Sequence, residues 1–551
     1  MTSTHDVDKL GTPDERRGLL SNVDDVDVVQ PDLEEQPTSP ATSHKRKRFA
    51  GFSVLLSLIL AATLFELWPR TRYDTRIGRD ALYSNGTHEF KKTVLMVSID
   101  GLRADYLDRG LTPHLLDISR EGLRAKYMKP VFPTLTFPNH WSLMTGLYAE
   151  SHGIIANNFW DPIFRDTFHY ARVESAQNPS WWLGEPMWET AERAGIITAN
   201  LMWPGPWSTS SGMNSTYFLP WENNYALEKK LSNLLEWIDL PLEERPQLIL
   251  GVFLHLFLSL LLDEYIFCSK RDGVISSAWY EPSLDQAGHA TGPMSKAVNM
   301  SLAAVDLFAR NLTQALGERN LTHIVDIIFV SDHGMTDTSH PTWVYVDEIV
   351  GQPWKGVTRV DGWPSMGLRF APGTNVTEAL ERLCEYTLTH PDQFDVFTTE
   401  SFSTDPGTSL VDLDAFNYGK MSAGTVEPMP ERYHFSRNYR IAPVWIVPRV
   451  GYALTDRTDG EDGMSTGNHG YDNEDSSMHA MFVAHGPFSQ GAKAAVVARG
   501  ECDGTGEYVM PGFQNVEIYN LVMRLLGLDA ADTAITNGTA GFWDTFVLPD
   551  A

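Results

Sequence analysis

The sequence predicts an α/β protein with a mostly parallel central sheet and helices on both of its faces. Apolar runs of strand length alternate with amphipathic segments of helical length from about residue 93 onward. This alternation is typical of parallel sheets, because a helix usually carries the chain back across the sheet between parallel strands. Two of the apolar runs, 93–99 and 324–330, lead into acidic residues. Ligands of such sheets bind beyond the carboxyl ends of the strands, so these acidic residues are candidates for a functional site.

The individual elements are predicted from periodicity and from the residues that begin and end helices. Strands are expected at 93–99, 196–202, 324–330, 444–447 and 481–485. Helices are expected at 112–122, 186–194, 224–238, 295–316 and 516–526. The first helix has Thr112 as its cap, Pro113 at its first position and Gly122 at its end. The third has one apolar face, formed by Leu227, Leu231, Leu234, Leu235 and Ile238.

Composition excludes several classes of protein. The chain has 551 residues, which allows one large α/β enzyme domain or several smaller domains. Its formal net charge of −28 argues against binding to a nucleic-acid backbone as the main function, because like charges repel. Three cysteines are too few for a disulfide scaffold.

The first 92 residues differ in character from the rest. Residues 1–48 are predicted to be a disordered acidic tail that ends in the basic cluster Lys45-Arg46-Lys47-Arg48. The uncharged run 49–65 is just long enough to cross a bilayer, so a transmembrane helix is predicted at 49–68, followed by a linker at 69–92. A cleaved signal peptide fits less well, because about 45 residues precede the run. A buried helix is the other alternative.

Glycosylation sequons set the predicted orientation of the span. Basic residues flank it on both sides, so charge alone leaves the orientation open. Seven Asn-x-Ser/Thr sequons all follow the span, at Asn85, Asn214, Asn299, Asn311, Asn320, Asn375 and Asn537. This one-sided placement predicts a type II single-pass protein with a cytosolic N-terminus and a lumenal or extracellular domain at 93–551, in the secretory pathway, in the vacuole or at the cell surface.

The stretch 133–140, Pro-Thr-Leu-Thr-Phe-Pro-Asn-His, contains the candidate nucleophile. Thr136 lies between two prolines and is expected to project from a turn just before a helix N-terminus. Pro138 suits the first turn of that helix, where its missing N–H costs nothing. Because a helix N-terminus favours anions, this position suits a hydroxyl that attacks phosphorus. The alternative is an ordinary capping threonine.

Metal-ligating side chains recur elsewhere, several of them at strand ends. They are three carboxylates and three imidazoles: Asp100, Asp285, His289, Asp332, His333 and His469. Mixed aspartate and histidine ligands suit zinc, although other divalent transition metals are possible. This inventory is sufficient for two cations.

Five motifs in one order make the pattern specific. They are Thr136-Phe-Pro-Asn-His, Glu150-Ser-His-Gly-Ile, Asp285-x-x-Gly-His-x-x-Gly-Pro, Ser331-Asp-His-Gly-Met and Gly467-Asn-His-Gly-Tyr-Asp-Asn. From about residue 93 to 547 the chain resembles the nucleotide pyrophosphatase/phosphodiesterase family of the alkaline phosphatase superfamily. The resemblance implies the alkaline phosphatase-like fold. It also implies hydrolysis of nucleotide phosphodiester or pyrophosphate bonds to nucleoside 5′-monophosphates.

The resemblance further implies two zinc ions per chain and a covalent threonyl intermediate. One ion would be held by Asp285, His289 and His469, and the other by Asp100, Asp332, His333 and the oxygen of Thr136. Coordination to a dication would lower the pKa of the threonine hydroxyl, which is otherwise a poor nucleophile at neutral pH. The amide of Asn157 would donate to a phosphate oxygen in the transition state, unless Asn157 is only a turn residue. Thr134 is expected to tolerate replacement by alanine.

Substrate recognition is also inferred from the resemblance. Phe137 would pack on one face of a nucleobase and Trp221 on the other, with Trp203 lining the same slot or belonging to the core. Aromatic stacking tolerates any base, because every base has a π-face. Some nucleotide-cleaving relatives carry a lysine just before an Asn-Pro like Asn178-Pro179. Here Gln177 occupies that place, so one contact to base or phosphate is expected to be missing.

Two stretches depart from the family pattern, at 251–277 and 402–428. Each is an insertion of about 27 residues by resemblance to the family, and each is interpreted as retained intron sequence or as a surface loop. Cys268 lies in the first insertion. Without it, Cys384 and Cys502 remain, and a bridge between them is a hypothesis in an oxidising compartment.

Three functions compete for this sequence. The first is nucleotide hydrolysis, with nucleotides or dinucleotides as substrates and no specific nucleic-acid partner. The second is a phospholipid-headgroup phosphodiesterase or a phosphomonoesterase of the same superfamily. The third is a catalytically inactive surface receptor, which the complete ligand set argues against, because buried charged groups are costly to keep without a use.

Overall fold

The computed structural model describes residues 81–223, 225–253, 283–402, 426–458, 460, 464–501 and 508–546. The predicted tail and transmembrane helix, most of both predicted insertions, Cys268 and Cys502 lie outside these residues. Those predictions, including the Cys384–Cys502 bridge, therefore stay predictions. Among the described residues, no helix is both long enough and apolar enough to cross a membrane.

Short strands and helices alternate along the described chain. The strands are β1 Tyr83–Ser84, β2 Glu89–Phe90, β3 Thr93–Ile99, β4 Leu123–Ala125, β5 Met128–Lys129, β6 Asn158–Asp161, β7 Asp166–His169, β8 Thr198–Leu201, β9 Tyr217–Leu219, β10 Leu248–Phe253, β11 Val325–Val330, β12 Thr336–Asp337, β13 Thr342–Tyr345, β14 Val357–Asp361, β15 Met366–Phe370, β16 Phe394–Thr398, β17 Glu427–Pro428, β18 Val444–Pro448, β19 Tyr452–Thr455, β20 Gly467–Asn468, β21 Phe482–His485, β22 Val509–Met510 and β23 Phe513–Gln514. The α-helices are α1 Pro113–Glu121, α2 Thr136–Thr145, α3 Ala149–His152, α4 Val173–Ala176, α5 Met187–Arg193, α6 Leu227–Ile238, α7 Leu284–Thr291, α8 Lys296–Glu318, α9 Val346–Val350, α10 Val376–Thr389, α11 Pro487–Ala498 and α12 Glu517–Leu525.

The largest sheet of the described chain has eight strands in the order β22-β4-β21-β11-β3-β10-β8-β9. Strand β3 lies inside this sheet and pairs in parallel with β10 on one side and β11 on the other. Strand β21 is antiparallel to both of its neighbours, and the remaining pairs are parallel. The predicted mostly parallel sheet is therefore confirmed.

Burial of β3 on both faces explains its uninterrupted apolar sequence. All seven of its side chains are buried. Since successive side chains point to opposite faces, Val94 and Met96 enter one core cluster while Leu95, Val97 and Ile99 enter another. Each fully buried side chain of this kind contributes on the order of 1.5–3 kcal/mol. Apolar cores on both faces therefore fix the position of this strand.

Helix α1 begins where the sequence predicts, but it is capped differently. The Thr112 side chain makes no capping hydrogen bond to the helix. Instead, the carboxylate of Asp306 on α8 accepts hydrogen bonds from the backbone N–H groups of His114 and Leu115, at 3.2 and 2.7 Å. A carboxylate at this end also complements the helix dipole. The cap is a tertiary contact, so local sequence did not reveal it.

The predicted insertions begin and end differently in the structure. Strand β10 runs to residue 253 and pairs with β3 over its whole length, so the first three residues of the predicted insertion belong to the central sheet. Residues 427–428, the end of the second predicted insertion, form β17 and pair with β16. That pair belongs to a second, mixed sheet, β14-β15-β18-β16-β17, of which the sequence predicted only β18.

Four of the seven sequon asparagines lie where an oligosaccharide would have access. None of the seven asparagines is buried. The four exposed ones are Asn214, Asn320, Asn375 and Asn537. This placement is compatible with the predicted glycoprotein.

We expect the full-length protein, extracted in detergent, to gain mobility on a denaturing gel after treatment with peptide N-glycosidase. Asn214→Gln is expected to remove one mobility step, because Asn214 is exposed and lies in a sequon. Unchanged mobility of the wild-type protein after treatment would contradict the predicted orientation.

Candidate active site

The parallel register brings the candidate ligands together. Asp100 follows β3 directly, and Asp332 and His333 follow β11 after one residue. Helix α7 contributes Asp285 and His289, and His469 follows β20. These side chains form two candidate metal-binding groups, Asp285/His289/His469 and Asp100/Asp332/His333. Within each group the ligand atoms lie within 4.8 Å of one another. The division agrees with the one implied by the family resemblance.

Gly101 makes room for this arrangement. Its φ of +72° turns the chain immediately after Asp100, and its N–H donates to Asp332 Oδ1 at 3.1 Å. A Cβ at this position would meet Asp285 Cβ at 3.0 Å. Both the backbone angle and the close approach therefore favour glycine here.

Thr136 lies at the first position of α2 rather than in a turn before it. Leu135, the residue before the helix, has extended angles, and Pro138 is the third helical residue. The Thr136 hydroxyl lies 3.2 Å from His333 Nε2, and the residue is 6% exposed. The hydroxyl therefore faces the Asp100/Asp332/His333 group, as the family resemblance implied. The helix begins earlier than the predicted turn at Thr136 because a proline in the first turn of a helix loses no intrahelical hydrogen bond. Pro138 can therefore be the third helical residue.

The three imidazoles are oriented in the same way. Their Nδ1 atoms lie 2.8–2.9 Å from backbone carbonyl oxygens: His289 from Gly467, His333 from Gly334 and His469 from Thr134. A carbonyl only accepts, so each Nδ1 carries a proton, and the neutral form of each ring presents its lone pair at Nε2. The Nε2 atoms of His289 and His469 are only 3.1 Å apart. Two facing lone pairs repel unless a cation lies between or beside them, and this backbone anchoring is typical of metal-ligating histidines.

Several carboxylate oxygens of the two groups also lack hydrogen-bond partners. Four of their buried oxygens have no hydrogen-bond partner among the described residues: Asp100 Oδ1 and Oδ2, Asp285 Oδ1 and Asp332 Oδ2. Unpaired buried charge is costly, so these oxygens require compensation by a cation. The donor set of aspartate and neutral histidine is one that divalent transition metals accept. The residues therefore fit two divalent cations.

The pKa shifts show the same crowding of charge. Burial, together with the charges of Asp285 and Asp332, raises the pKa of Asp100 well above its ordinary value. Burial alone would raise the pKa of Asp332 too, but His333 and His140 hold it well below its usual range. Burial and the neighbouring imidazoles His333 and His289 lower the pKa of His469. Bound cations would relieve the repulsion among these carboxylates.

Asn157 is brought next to the first turn of α2. Its Oδ1 accepts a hydrogen bond from the Phe137 N–H at 3.0 Å. The oxygen of the Asn157 side chain is therefore occupied by this hydrogen bond, and its N–H₂ group remains available as a donor. It is half-buried. This arrangement is compatible with the predicted hydrogen bond to a phosphate oxygen.

Phe137, which is predicted to contact a nucleobase, packs against an aromatic residue that the sequence did not single out, Tyr170. Phe137 is 3% exposed, and its ring centroid lies 5.4 Å from that of Tyr170 and 6.1 Å from those of Phe168 and Trp182. Tyr170 is partly buried, and its backbone N–H donates to the Asn157 carbonyl at 3.1 Å. No described residue accepts from or donates to its hydroxyl.

The two predicted tryptophans differ in burial. Trp203 is 3% exposed, and its Nε1 donates to the His140 carbonyl at 3.2 Å, which supports the core alternative. Trp221 is only partly buried and retains surface that a base could cover. Gln177, in place of the lysine, uses its amide on the backbone of Gly205 and Trp207, at 3.1 and 3.0 Å. Its neutral side chain is therefore committed to a neighbouring loop.

Comparison with known proteins agrees with this geometry. The model of the type I phosphodiesterase/nucleotide pyrophosphatase family matches residues 94–472. An uncharacterised pyrophosphatase/phosphodiesterase of Schizosaccharomyces pombe is 35% identical over 462 residues, which cover 83% of this chain and 81% of that protein. Ectonucleotide pyrophosphatase/phosphodiesterase 1 of Saccharomyces cerevisiae is 30% identical over 559 residues, covering 90% of this chain and 65% of that protein.

Rat ectonucleotide pyrophosphatase/phosphodiesterase family member 3 is 31% identical, but this chain spans only 43% of its length. Among solved structures, murine ectonucleotide pyrophosphatase/phosphodiesterase 5 superposes with a TM-score of 0.63 at 26% identity. The match covers 83% of this chain and 100% of that one, an inactive threonine-to-alanine variant in complex with AMP.

The chain belongs to the type I phosphodiesterase/nucleotide pyrophosphatase family. It has the alkaline phosphatase-like fold of that family and is a hydrolase of the phosphodiesterase and nucleotide pyrophosphatase class.

Thr134 is a supporting residue that the sequence analysis underestimated. Its hydroxyl donates to the Tyr471 carbonyl at 3.1 Å and accepts from the Gly470 N–H at 2.8 Å, while its carbonyl accepts from His469 Nδ1. The residue is fully buried. Thr134 therefore holds the loop that carries His469, and its replacement is not expected to be mild.

We expect Thr134→Val to lower the free energy of unfolding by about 1–3 kcal/mol, because it leaves the Gly470 N–H and the Tyr471 carbonyl unpaired. Urea denaturation measures the change. Thr358→Val, at an exposed threonine in β14, is the control and is expected to stay within about 0.5 kcal/mol of wild type. Equal stability of the two variants would contradict the assignment.

Proposed function

We propose that this protein is a two-zinc phosphodiesterase/pyrophosphatase that hydrolyses nucleotide phosphodiester or pyrophosphate bonds to nucleoside 5′-monophosphates through a covalent threonyl intermediate. The observation that carries the proposal is the position of the Thr136 hydroxyl. It lies at the N-terminus of α2, 3.2 Å from His333 Nε2, beside two groups of buried and incompletely paired ligands. Family membership supports the reaction class.

The metal ligands follow from the two groups. Asp285, His289 and His469 would hold one Zn²⁺, and Asp100, Asp332, His333 and the Thr136 oxygen would hold the other. When bound, the ions would supply Lewis-acid stabilisation of phosphate charge and a lowered pKa for the threonine hydroxyl. Three carboxylates against two dications leave the site net positive, which favours an anionic substrate.

The chain's own residues supply the nucleophile and part of the charge stabilisation. Thr136 Oγ1 attacks phosphorus in line, and the bond from phosphorus to the leaving oxygen breaks. The nucleotidyl group is then esterified to Thr136. Water displaces it in a second step, which releases the nucleoside 5′-monophosphate and restores the hydroxyl. The Asn157 amide donates to a phosphate oxygen throughout, because Phe137 N–H fixes its other end.

The nucleoside would occupy the space beside Phe137. That residue follows the nucleophile and contacts Tyr170 at 5.4 Å, and Trp221 offers the partly exposed aromatic surface. The AMP complex of the murine relative supports a nucleotide as the ligand. Trp203 is too buried to stack on a base, so its contribution would be to pack against the residues around the base.

The placement in the cell is part of the proposal. The cytosolic tail 1–48, the transmembrane helix 49–68 and the linker 69–92 would anchor the catalytic domain 93–551 on the lumenal or extracellular side. Relatives named ectonucleotide pyrophosphatases support that side of the membrane. The membrane and small-molecule nucleotides are the expected partners.

A substrate panel tests the reaction class. We expect hydrolysis of p-nitrophenyl-TMP, ATP and diadenosine polyphosphate to nucleoside 5′-monophosphates, measured by chromatography of the products. Lysophosphatidylcholine and a simple phosphomonoester are expected to react poorly, because neither offers a base to the aromatic slot. Preference for either of those would favour the phospholipid or monoesterase alternative, and no turnover of any would favour the receptor.

Replacing Thr136 tests the nucleophile. Thr136→Ala is expected to abolish nearly all turnover with little change in metal content, because six protein ligands remain. Thr136→Ser is expected to keep part of the activity, since a hydroxyl stays in place with a less restricted rotamer. Steady-state kinetics and metal analysis measure both.

Stereochemistry at phosphorus separates two displacements from one. With a chiral phosphorothioate substrate, a threonyl intermediate gives net retention. Direct attack by water gives inversion, together with only a modest loss in Thr136→Ala, and that result would reject the covalent route.

Metal analysis tests the two ligand groups. We expect two zinc ions per chain in the full-length protein under zinc-replete conditions. His289→Ala and Asp332→Ala are each expected to lower this number to about one and to cost orders of magnitude in activity, because each removes a ligand from a different group. One ion or none in the wild type would count against the two-metal site.

A further inference from the structure

His140 is a buried histidine that the proposed reaction leaves without a role. It lies one helical turn after Thr136 on α2, and neither it nor Ser98 is exposed to solvent. We propose that His140 is a positioning residue that ties the first turn of α2 to the metal ligand Asp332, with its ring oriented by Ser98. The inference rests on the proposed function. It adds to the proposed active site a residue that positions Thr136 and Asp332 without being a metal ligand itself.

The contacts of the His140 ring determine which of its nitrogens carries the proton. Nδ1 lies 3.0 Å from the Thr136 carbonyl oxygen and 3.3 Å from Asp332 Oδ2. Nε2 lies 2.9 Å from Ser98 Oγ. Since the Thr136 carbonyl only accepts, Nδ1 carries the proton, and Nε2 accepts from the Ser98 hydroxyl. The single N–H therefore donates to the carbonyl of the residue that carries the nucleophile, and the same nitrogen lies close to Asp332 Oδ2 without a hydrogen bond to it.

Packing leaves the ring one orientation. Trp203 lies edge-on to His140, with ring centroids 5.3 Å apart and planes at 78°. The Trp203 Nε1 also donates to the His140 carbonyl. A flipped ring would leave the Ser98 hydroxyl and the Thr136 carbonyl with mismatched partners in a fully buried place.

The three contacts join three separate elements. Ser98 is on β3, Thr136 and His140 are on α2, and Asp332 follows β11. Partners of metal ligands in the surrounding layer typically cost about 10–100-fold in metal affinity or activity when removed. A displacement of about 1 Å at a reacting atom lowers the reaction rate by a factor of similar size. Because His140 contacts both Thr136 and Asp332, its replacement is expected to have both effects.

The chain contains a matched comparison. Ser142, also on α2, lies 2.9 Å from His152 Nε2 through its Oγ, and both residues are fully buried. His152 Nδ1 accepts from the Ile154 N–H rather than from any group of the site. The Ser142–His152 pair therefore matches Ser98–His140 in residue types, distance and burial, although here the histidine Nε2 donates to the serine oxygen, and it lacks the contact to Thr136 or Asp332.

The first test compares the two serines in the full-length protein. Ser98→Ala is expected to lower kcat for p-nitrophenyl-TMP about tenfold with KM within about twofold, because alignment of the nucleophile changes while the base slot does not. Ser142→Ala is expected to leave both constants within about twofold. Each variant removes one oxygen atom, so both are expected to fold. Equal kcat values for the two variants would overturn the proposal.

The second test uses the geometry of the two amide replacements. The side-chain nitrogen of asparagine can occupy the place of His140 Nδ1, whereas glutamine reaches only the place of Nε2. His140→Asn is therefore expected to keep kcat within about threefold of wild type, and His140→Gln to lose about 10–100-fold. Equal losses in the two variants would show that the Nδ1 hydrogen bond is not the cause and would overturn the proposal.

Metal retention separates this inference from the proposed function. After dialysis against a chelator of graded strength, His140→Gln is expected to lose one of two zinc ions at about 10–100-fold lower chelator concentration than wild type, while His140→Asn and Ser142→Ala follow wild type. This readout needs no substrate, so it tests His140 even if the panel shows no phosphodiesterase activity. Identical retention in all variants would contradict the link from His140 to Asp332.

Discussion

The parallel register of β3 and β11 is the constraint on which the site depends. Val97 of β3 lies opposite Phe329 of β11, so the two strands end side by side and deliver Asp100 and Asp332 to the same edge of the sheet. Close packing on both faces of β3 fixes that register, because a slip of one residue would move every side chain into the opposite core, where side chains of different size are packed. The same forces that stabilise the sheet thus bring like charges into contact. The carboxylates of Asp100 and Asp332 therefore repel each other, and bound cations would compensate this repulsion.

Elements outside the central sheet supply the remaining polar groups of the site. Helix α2 provides the hydroxyl at its first position, α7 provides a carboxylate and an imidazole one turn apart, and the β20 loop closes the site with His469. Each imidazole is anchored through Nδ1 to a carbonyl of the backbone. Because backbone groups hold these side chains, the ligand geometry depends on several loops keeping their positions.

A buried ion pair braces the loop that carries Asn157. Arg440, just before β18 of the second sheet, forms an ion pair with Asp161 on β6 at 2.7 Å, and both side chains are almost fully buried. Its guanidinium also donates to the carbonyls of Gly153 and Trp181, at 2.9 and 2.6 Å. Removing one partner of such a pair would leave an unpaired buried charge. The segment that leads into the second sheet therefore supports the loop of Asn157, although that sheet contributes none of the candidate ligands.

The sequence by itself determined the sheet class and the position of β3, because these depend on local apolar runs. It also supplied the candidate ligands and the candidate threonine through their motifs, whereas the division of the ligands into two groups came from the family resemblance. The tertiary structure decided what depends on distant partners. Asp306 replaces Thr112 at the start of α1, Thr134 supports the His469 loop, and His140 connects Thr136 to Asp332. The strands β14 to β16 escaped prediction, and for β15 and β16 the reason is that their pairing with β18 is non-local. A single sequence does not show which polar groups meet across more than 100 residues, and hydrogen bonds between such groups set the final geometry of the site.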